Sequence, residues 1–224
     1  MELCYVPRLD DGFLLDHAAG SGPIATQLLA ECQAALNPQA AVRVRVAEAG
    51  FGSLLSQLPP AAMSENALDH VLEHAGTPIT SSEQPSAIDT ETGLPRALRP
   101  FLEMPGGELD WSRQLGGVQE IHLADASDAN VEANLVRLMP GGGIPHHDHG
   151  GEELTLVLTG AFHDGHALYR AGDLCRAAPG LRHRPEVHGA TPCICLTVSL
   201  GEWKPANPLY GWLNRLNRSL RRRN

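Results

Sequence analysis

The chain has 224 residues, 42% hydrophobic and 19% charged, a composition that supports a packed fold and excludes global disorder. Its formal net charge is −9, and because the last ten residues hold five arginines the rest stands at −14; so acidic a body repels phosphate backbones, which argues against direct nucleic-acid binding and suits a basic protein partner. No apolar run approaches the ~20 residues that span a bilayer, the start MELCYVPRLDDGF lacks the pattern of a secretory leader, and five cysteines without a CxxC pair point to a reducing cytoplasm rather than a disulfide framework.

The first third reads as helices. Asp11 to Ala19 is a short helical stretch stopped by Gly20, and Gly22-Pro23 breaks the chain. Ile24 to Asn37 carries Ile24, Leu28, Leu29, Cys32, Ala35 and Leu36 as one amphipathic stripe. Asn37-Pro38 opens a third helix running to about Ala49. The alternation of Val42, Val44 and Val46 also fits a strand, but the flanking alanines favour helix. Pro59-Pro60 is a break. Ser64 then caps a fourth helix with Leu68, Val71, Leu72 and Ala75 as its apolar stripe and Gly76 as its stop.

Residues 77–95 are polar, Pro-bearing and aperiodic, the texture of a linker. From there brief apolar runs alternate with Gly, Pro and Asp: Val118 to Leu123, Asn130 to Met139, Glu153 to Leu158, His166 to Arg170, Leu174 to Ala177 and Cys193 to Val198. Short strands at this spacing suggest a sandwich or barrel. The expected fold class is therefore α+β in two domains: a helical bundle over 1–76, the linker 77–95, a β domain over 96–210, and a basic tail over 211–224. Trp212, Leu213, Leu216 and Leu220 give that tail one short apolar stripe, most simply a cap with a solvated end.

The strongest chemical signal lies in residues 141–183. His147 and His149 are two apart, so on a strand they share a face. Glu153 begins the run ELTLVL and shares a face with Thr155 and Val157, which brings a carboxylate to the mouth of a sheet interior. A buried carboxylate is costly unless it is paired or bound to a metal, and imidazoles with one carboxylate suit first-row divalent ions. His183, after a Gly-Asp turn and a Pro-Gly turn, is the best candidate for a fourth ligand. His146, off register on the other face, reads as exposed or as a neighbour supporting the ligands; His163, His166 and His188 read as solvated side chains. Cys193 and Cys195 share one strand face and read first as core thiols, with a redox role open if one points at the metal.

Gly141, His147, His149, Glu153 and Gly160 match the first cupin motif, G(X)5HXH(X)3–4E(X)6G, at every anchor. Gly172, Gly180 and His183 hold the spacing of the second, G(X)5PXG(X)2H, with Pro179 one place late. The resemblance implies a small β-barrel with His147, His149, Glu153 and His183 around one divalent metal. Zinc is the first expectation, with iron or manganese as alternatives.

The order of helices, linker and cupin, with LLDHAAGSGP early and ELTLVLTGAF and CICL later, resembles the ChrR-type family, anti-sigma factors with a C-terminal cupin. The resemblance implies that the helices hold an extracytoplasmic-function sigma factor away from RNA polymerase, and that the cupin governs its release in response to oxidants. The family's HxxxCxxC zinc motif aligns with Cys32, Leu36 and Gln39, so this departure predicts a helical domain without zinc. Two other functions remain open at this point: a metal-dependent cupin enzyme, a dioxygenase or isomerase with the helices as a dimerisation element, and a non-catalytic ligand-binding cupin. No catalytic base stands out beyond the metal ligands, and a homodimer is left open.

Overall fold

Among the residues that the computed structural model describes (10–75, 86–104, 108–113, 118–144, 146 and 151–201), four α-helices precede nine β-strands. Helix α1 is Asp11–Ala18, and Asp10 caps it by accepting from the Phe13 amide at 3.1 Å. Helix α2 is Ile24–Leu36 and starts after Pro23. Helix α3 is Pro38–Leu55; the Asn37 side chain accepts from the Gln39 and Ala40 amides, and Pro38 occupies the first turn, where its missing N–H costs nothing.

The valine alternation therefore belongs to a helix, with Val44 buried and Val42 and Val46 exposed. Helix α3 outruns its expected end at Ala49 because Gly50 and Gly52 weaken a helix by about 1 kcal/mol each without breaking it. Helix α4 is Ala67–Ala75, preceded by Asn66 rather than by the expected Ser64. In the segment read as a linker, residues 76–85 lie outside the described residues. Residues 86–95 form a tight turn in which Asp89 Oδ1 accepts from the Glu91 and Thr92 amides and Leu94 is buried.

The strands are β1 Ser112–Arg113, β2 Val118–His122, β3 Val131–Leu138, β4 Glu152–Thr159, β5 Ala161–His163, β6 Leu168–Arg170, β7 Leu174–Ala177, β8 Glu186–Val187 and β9 Cys193–Leu200. All six expected strands are present; β1, β5 and β8, of two or three residues each, were too short to show a period. A six-stranded sheet has the order β1-β2-β3-β9-β4-β7 and a three-stranded sheet the order β6-β5-β8, with antiparallel pairing throughout.

Residues directly opposite on paired strands share a face, so the registers divide the large sheet in two. One face is apolar: Ala133 and Leu135 of β3, Leu154 and Leu156 of β4, Leu174 of β7 and Leu196 and Val198 of β9. Ala25, Leu28, Leu29 and Cys32 of α2 and Leu94 and Leu98 pack on it in one continuous core. The other face carries Glu153, Thr155 and Val157 of β4, Cys175 of β7 and Cys193, Cys195 and Thr197 of β9. There Val157 and the three cysteines pack against Phe162 and Tyr169 of the small sheet, whose rings stack at 5.0 Å.

Gly160 moves the chain from one sheet to the other. Its φ is +73°, and a Cβ there would stand 2.4 Å from the Pro192 carbonyl oxygen, so only glycine fits.

Candidate functional site

Strand alternation alone places the candidate site on the face opposite α2. Glu153 enters β4 directly across from Ala177 of β7 and Ser199 of β9. It is half-buried, and its Oε1 accepts from the Thr155 hydroxyl at 3.1 Å. His183 follows β7 by six residues and is only 3% exposed. Thus β7 leads from the neighbour of Glu153 towards His183.

The two motif segments are also joined at their other ends. Ile144 donates its amide to the Pro185 carbonyl at 2.8 Å, Val187 donates to Gly142 at 3.0 Å, and Gly143 pairs with Glu186. A Cβ on Gly143 would lie 2.6 Å from the Pro185 oxygen, so this pairing needs glycine. The chain entering the His-x-His segment therefore runs beside the chain leaving His183. An open depression of about 290 Å³ lies there, lined in part by Gly142, His146, Arg184 and Glu186.

His147 and His149 themselves lie outside the described residues. Among the described residues no three His, Cys, Asp or Glu side chains gather as a metal-ligating cluster. The donor set still has the right chemistry on its described side: a carboxylate on β4 and an imidazole beyond the end of β7, drawn partly and almost wholly out of water respectively. His146, His163, His166 and His188 are exposed, as expected of solvated side chains.

Behind Glu153 lies a group that local spacing only half revealed. Cys193 and Cys195 are buried with their sulfurs 3.7 Å apart. Cys175 joins them from β7, because Thr155 opposes Cys175 while Val157 opposes Cys195. The Cys193 hydrogen bond and burial push the Cys195 thiol well above its ordinary pKa, and the charge of Glu153 adds to the shift. A thiol so raised stays protonated and packs as a small apolar group. One further polar row crosses this face: His122 Nδ1 lies 2.9 Å from Asn134 Oδ1, and the Thr197 hydroxyl donates to the Asn134 carbonyl at 3.3 Å. Only the cross-strand register, which no local spacing encodes, assembles it.

The family described as the ChrR cupin-like domain matches residues 105–202. The anti-sigma-E factor ChrR of Cereibacter sphaeroides is 31% identical over 195 residues, covering 86% of this chain and 88% of that protein. This chain belongs to the ChrR family. Its strands are accordingly those of the ChrR cupin, and a cupin is a domain suited to metal binding. The structure of Rhodobacter sphaeroides SigE in complex with the anti-sigma ChrR aligns with a TM-score of 0.68 at 28% identity, covering 85% of this chain and 97% of the matched one.

In this ChrR-family chain the three positions aligned with the helical zinc motif have unlike surroundings. Cys32 is wholly buried against the sheet and its thiol pKa is driven up by burial; Leu36 packs at the edge of the same core; Gln39 is exposed. Among the described residues no helix is long and apolar enough to cross a membrane.

Proposed function

We propose that the protein is a cytoplasmic anti-sigma factor whose helical domain, residues 1–76, sequesters an extracytoplasmic-function sigma factor. The cupin domain, residues 96–210, closes as a barrel and holds one divalent metal, zinc foremost, on His147, His149, Glu153 and His183. That metal, by its charge, would fix the four side chains in one arrangement. The chain's own residues set the rest: Thr155 orients Glu153 by a hydrogen bond, and burial holds His183 ready as a ligand.

The observation that carries this reading is the bare apolar surface of α3 and α4. Leu68, Val71 and Leu72 are 66%, 60% and 60% exposed, and Val46, Leu54 and Leu55 are comparably open. Apolar side chains grouped along helices in this way mark a protein-docking face. The matched ChrR chain was captured with SigE, and the acidic body suits a basic partner.

Two measurements test the two halves. The full chain, co-expressed with the sigma factors of its source, should co-purify with one of them at 1:1 by native mass spectrometry. Changing Leu68, Val71 and Leu72 together to Glu should lower that yield at least ten-fold without altering the circular dichroism spectrum. Absence of any sigma complex with the full chain overturns the partner assignment. Separately, His183→Ala should markedly lower the zinc bound per chain, since loss of a ligand weakens a four-ligand site; unchanged stoichiometry and affinity would remove His183 from the site.

A further inference from the structure

The strands that carry Glu153 on one face carry the helices on the other, and the polar contacts between the two sides converge on β7. Arg176 of β7 pairs through Nε with Glu152, the residue before Glu153, and through Nη1 with Asp10. Asp10 is the N-cap of α1, so one carboxylate both caps a helix and holds the sheet. At the other end of the contact, the turn before β7 presents the Gly172 carbonyl to two side chains of the helical part. Gln33 Nε2 of α2 lies at 3.3 Å and Asn37 Nδ2 at 3.4 Å, while the Gly172 amide donates to Val157 of β4 at 2.9 Å.

Apolar burial supplies most of the adhesion between α2 and the sheet, but it is non-directional and tolerates sliding. Directed polar contacts fix position. We propose that Arg176 is a positioning latch that makes the seating of α1 depend on the state of β4 at Glu153. Glu152 and Glu153 are consecutive and point to opposite faces. A change in how Glu153 is held therefore turns the backbone that carries Glu152, and Arg176 passes that shift to Asp10 and the first turn of α1. The regulatory meaning of the latch rests on the function proposed above; its mechanical content does not.

Four forms of the full chain test it: the natural protein, Glu153→Ala, Arg176→Ala and the double variant, compared by hydrogen exchange over α1. The amides of Phe13 and Leu14, which bond to Asp10, report the seating directly. Arg176→Ala should speed their exchange about two- to five-fold, the range of one partly exposed ion pair. Glu153→Ala should change their exchange several-fold when Arg176 is present and less than two-fold in the Arg176→Ala background. Arg176→Lys should restore part of the response, and Arg99→Ala, which removes a separate pair with Glu91, should leave it intact.

Equal responses to Glu153→Ala in both backgrounds, or none in either, overturn the latch. If Glu153→Ala does not fold, Glu153→Gln takes its place. The readout needs neither metal nor sigma factor. Lost sigma binding with an Arg176-dependent exchange response would therefore refute the proposed function and leave the latch standing.

Discussion

Helices α2 and α4 look alike in sequence and end in opposite surroundings. Both carry an apolar stripe at helical spacing. In α2 the stripe is covered: Leu28, Leu29 and Cys32 are 3%, 0% and 0% exposed against the sheet. In α4 the stripe of Leu68, Val71 and Leu72 is open. A periodic stripe thus specifies a helix and the need for a partner, but not where that partner comes from. For α2 it is the cupin sheet of the same chain, and for α4 we assign it to a second protein. Residue size contributes to the difference, since Ala25 and Cys32 let α2 approach the sheet closely.

The sharpest way to break the comparison is to place a charge on each helix. Leu29→Asp puts a carboxylate into the apolar shared core, which should cost more than about 4 kcal/mol and unfold most of the protein. Leu72→Asp should change stability by less than about 0.5 kcal/mol, because the side chain already faces water. Urea denaturation of both variants checks this. A loss under about 1 kcal/mol for Leu29→Asp would mean that α2 does not rest on the sheet in solution.

The comparison also shows which parts of the molecule local sequence can carry. Helix α2 was legible almost to the residue because thirteen residues sample its period several times over. Ile24, counted in its stripe, proves 58% exposed, although Ala25 beside it is wholly buried in the shared core. Strands β1, β5 and β8 sample a period of two only once. Leu94 was hidden inside a polar segment although it anchors that segment in the core. At the site, spacing singled out Glu153 and His183; Glu153 lies on β4, and His183 is buried six residues beyond the end of β7, the strand paired with β4. Cys175 escaped notice because its place beside Cys193 and Cys195 is set by register across β4. The bond from Gln33 to Gly172 spans 139 residues, and no local pattern reports it.

A smaller perturbation asks how closely α2 must sit. Gly172 has φ +85°, and an added Cβ would lie 3.3 Å from the Leu36 carbonyl oxygen at the end of α2. Gly172→Ala should therefore cost about 1–2 kcal/mol, from left-handed backbone strain and from pushing that helix end outward. The effect should appear as a lower urea midpoint with an unchanged slope. Gly50→Ala, on α3 with open space around it, should instead be neutral or stabilising by up to about 1 kcal/mol.

The finest probe is alkaline pH, because α2 buries a thiol and α4 has none. Cys32 is raised in the folded protein above its ordinary pKa of 9.0, chiefly by burial and further by Glu31. Its contribution is fully present below pH 9.0 and fades as pH rises, because the unfolded chain then gives up a proton that the folded chain retains. Cys195 shifts in the same direction for its own reasons. Cys32 should therefore remove roughly 1 kcal/mol of stability between pH 8 and pH 9.5, and more with further alkali, with Cys195 adding to the loss in the same direction. Cys32→Ala lowers stability at pH 7 through the lost sulfur contact, yet its stability should fall less steeply with alkali by the share of one thiol. Urea midpoints at the two pH values separate these effects. Equal alkaline slopes for Cys32→Ala and the natural protein would show that water reaches Cys32, and that α2 is no more tightly covered than α4.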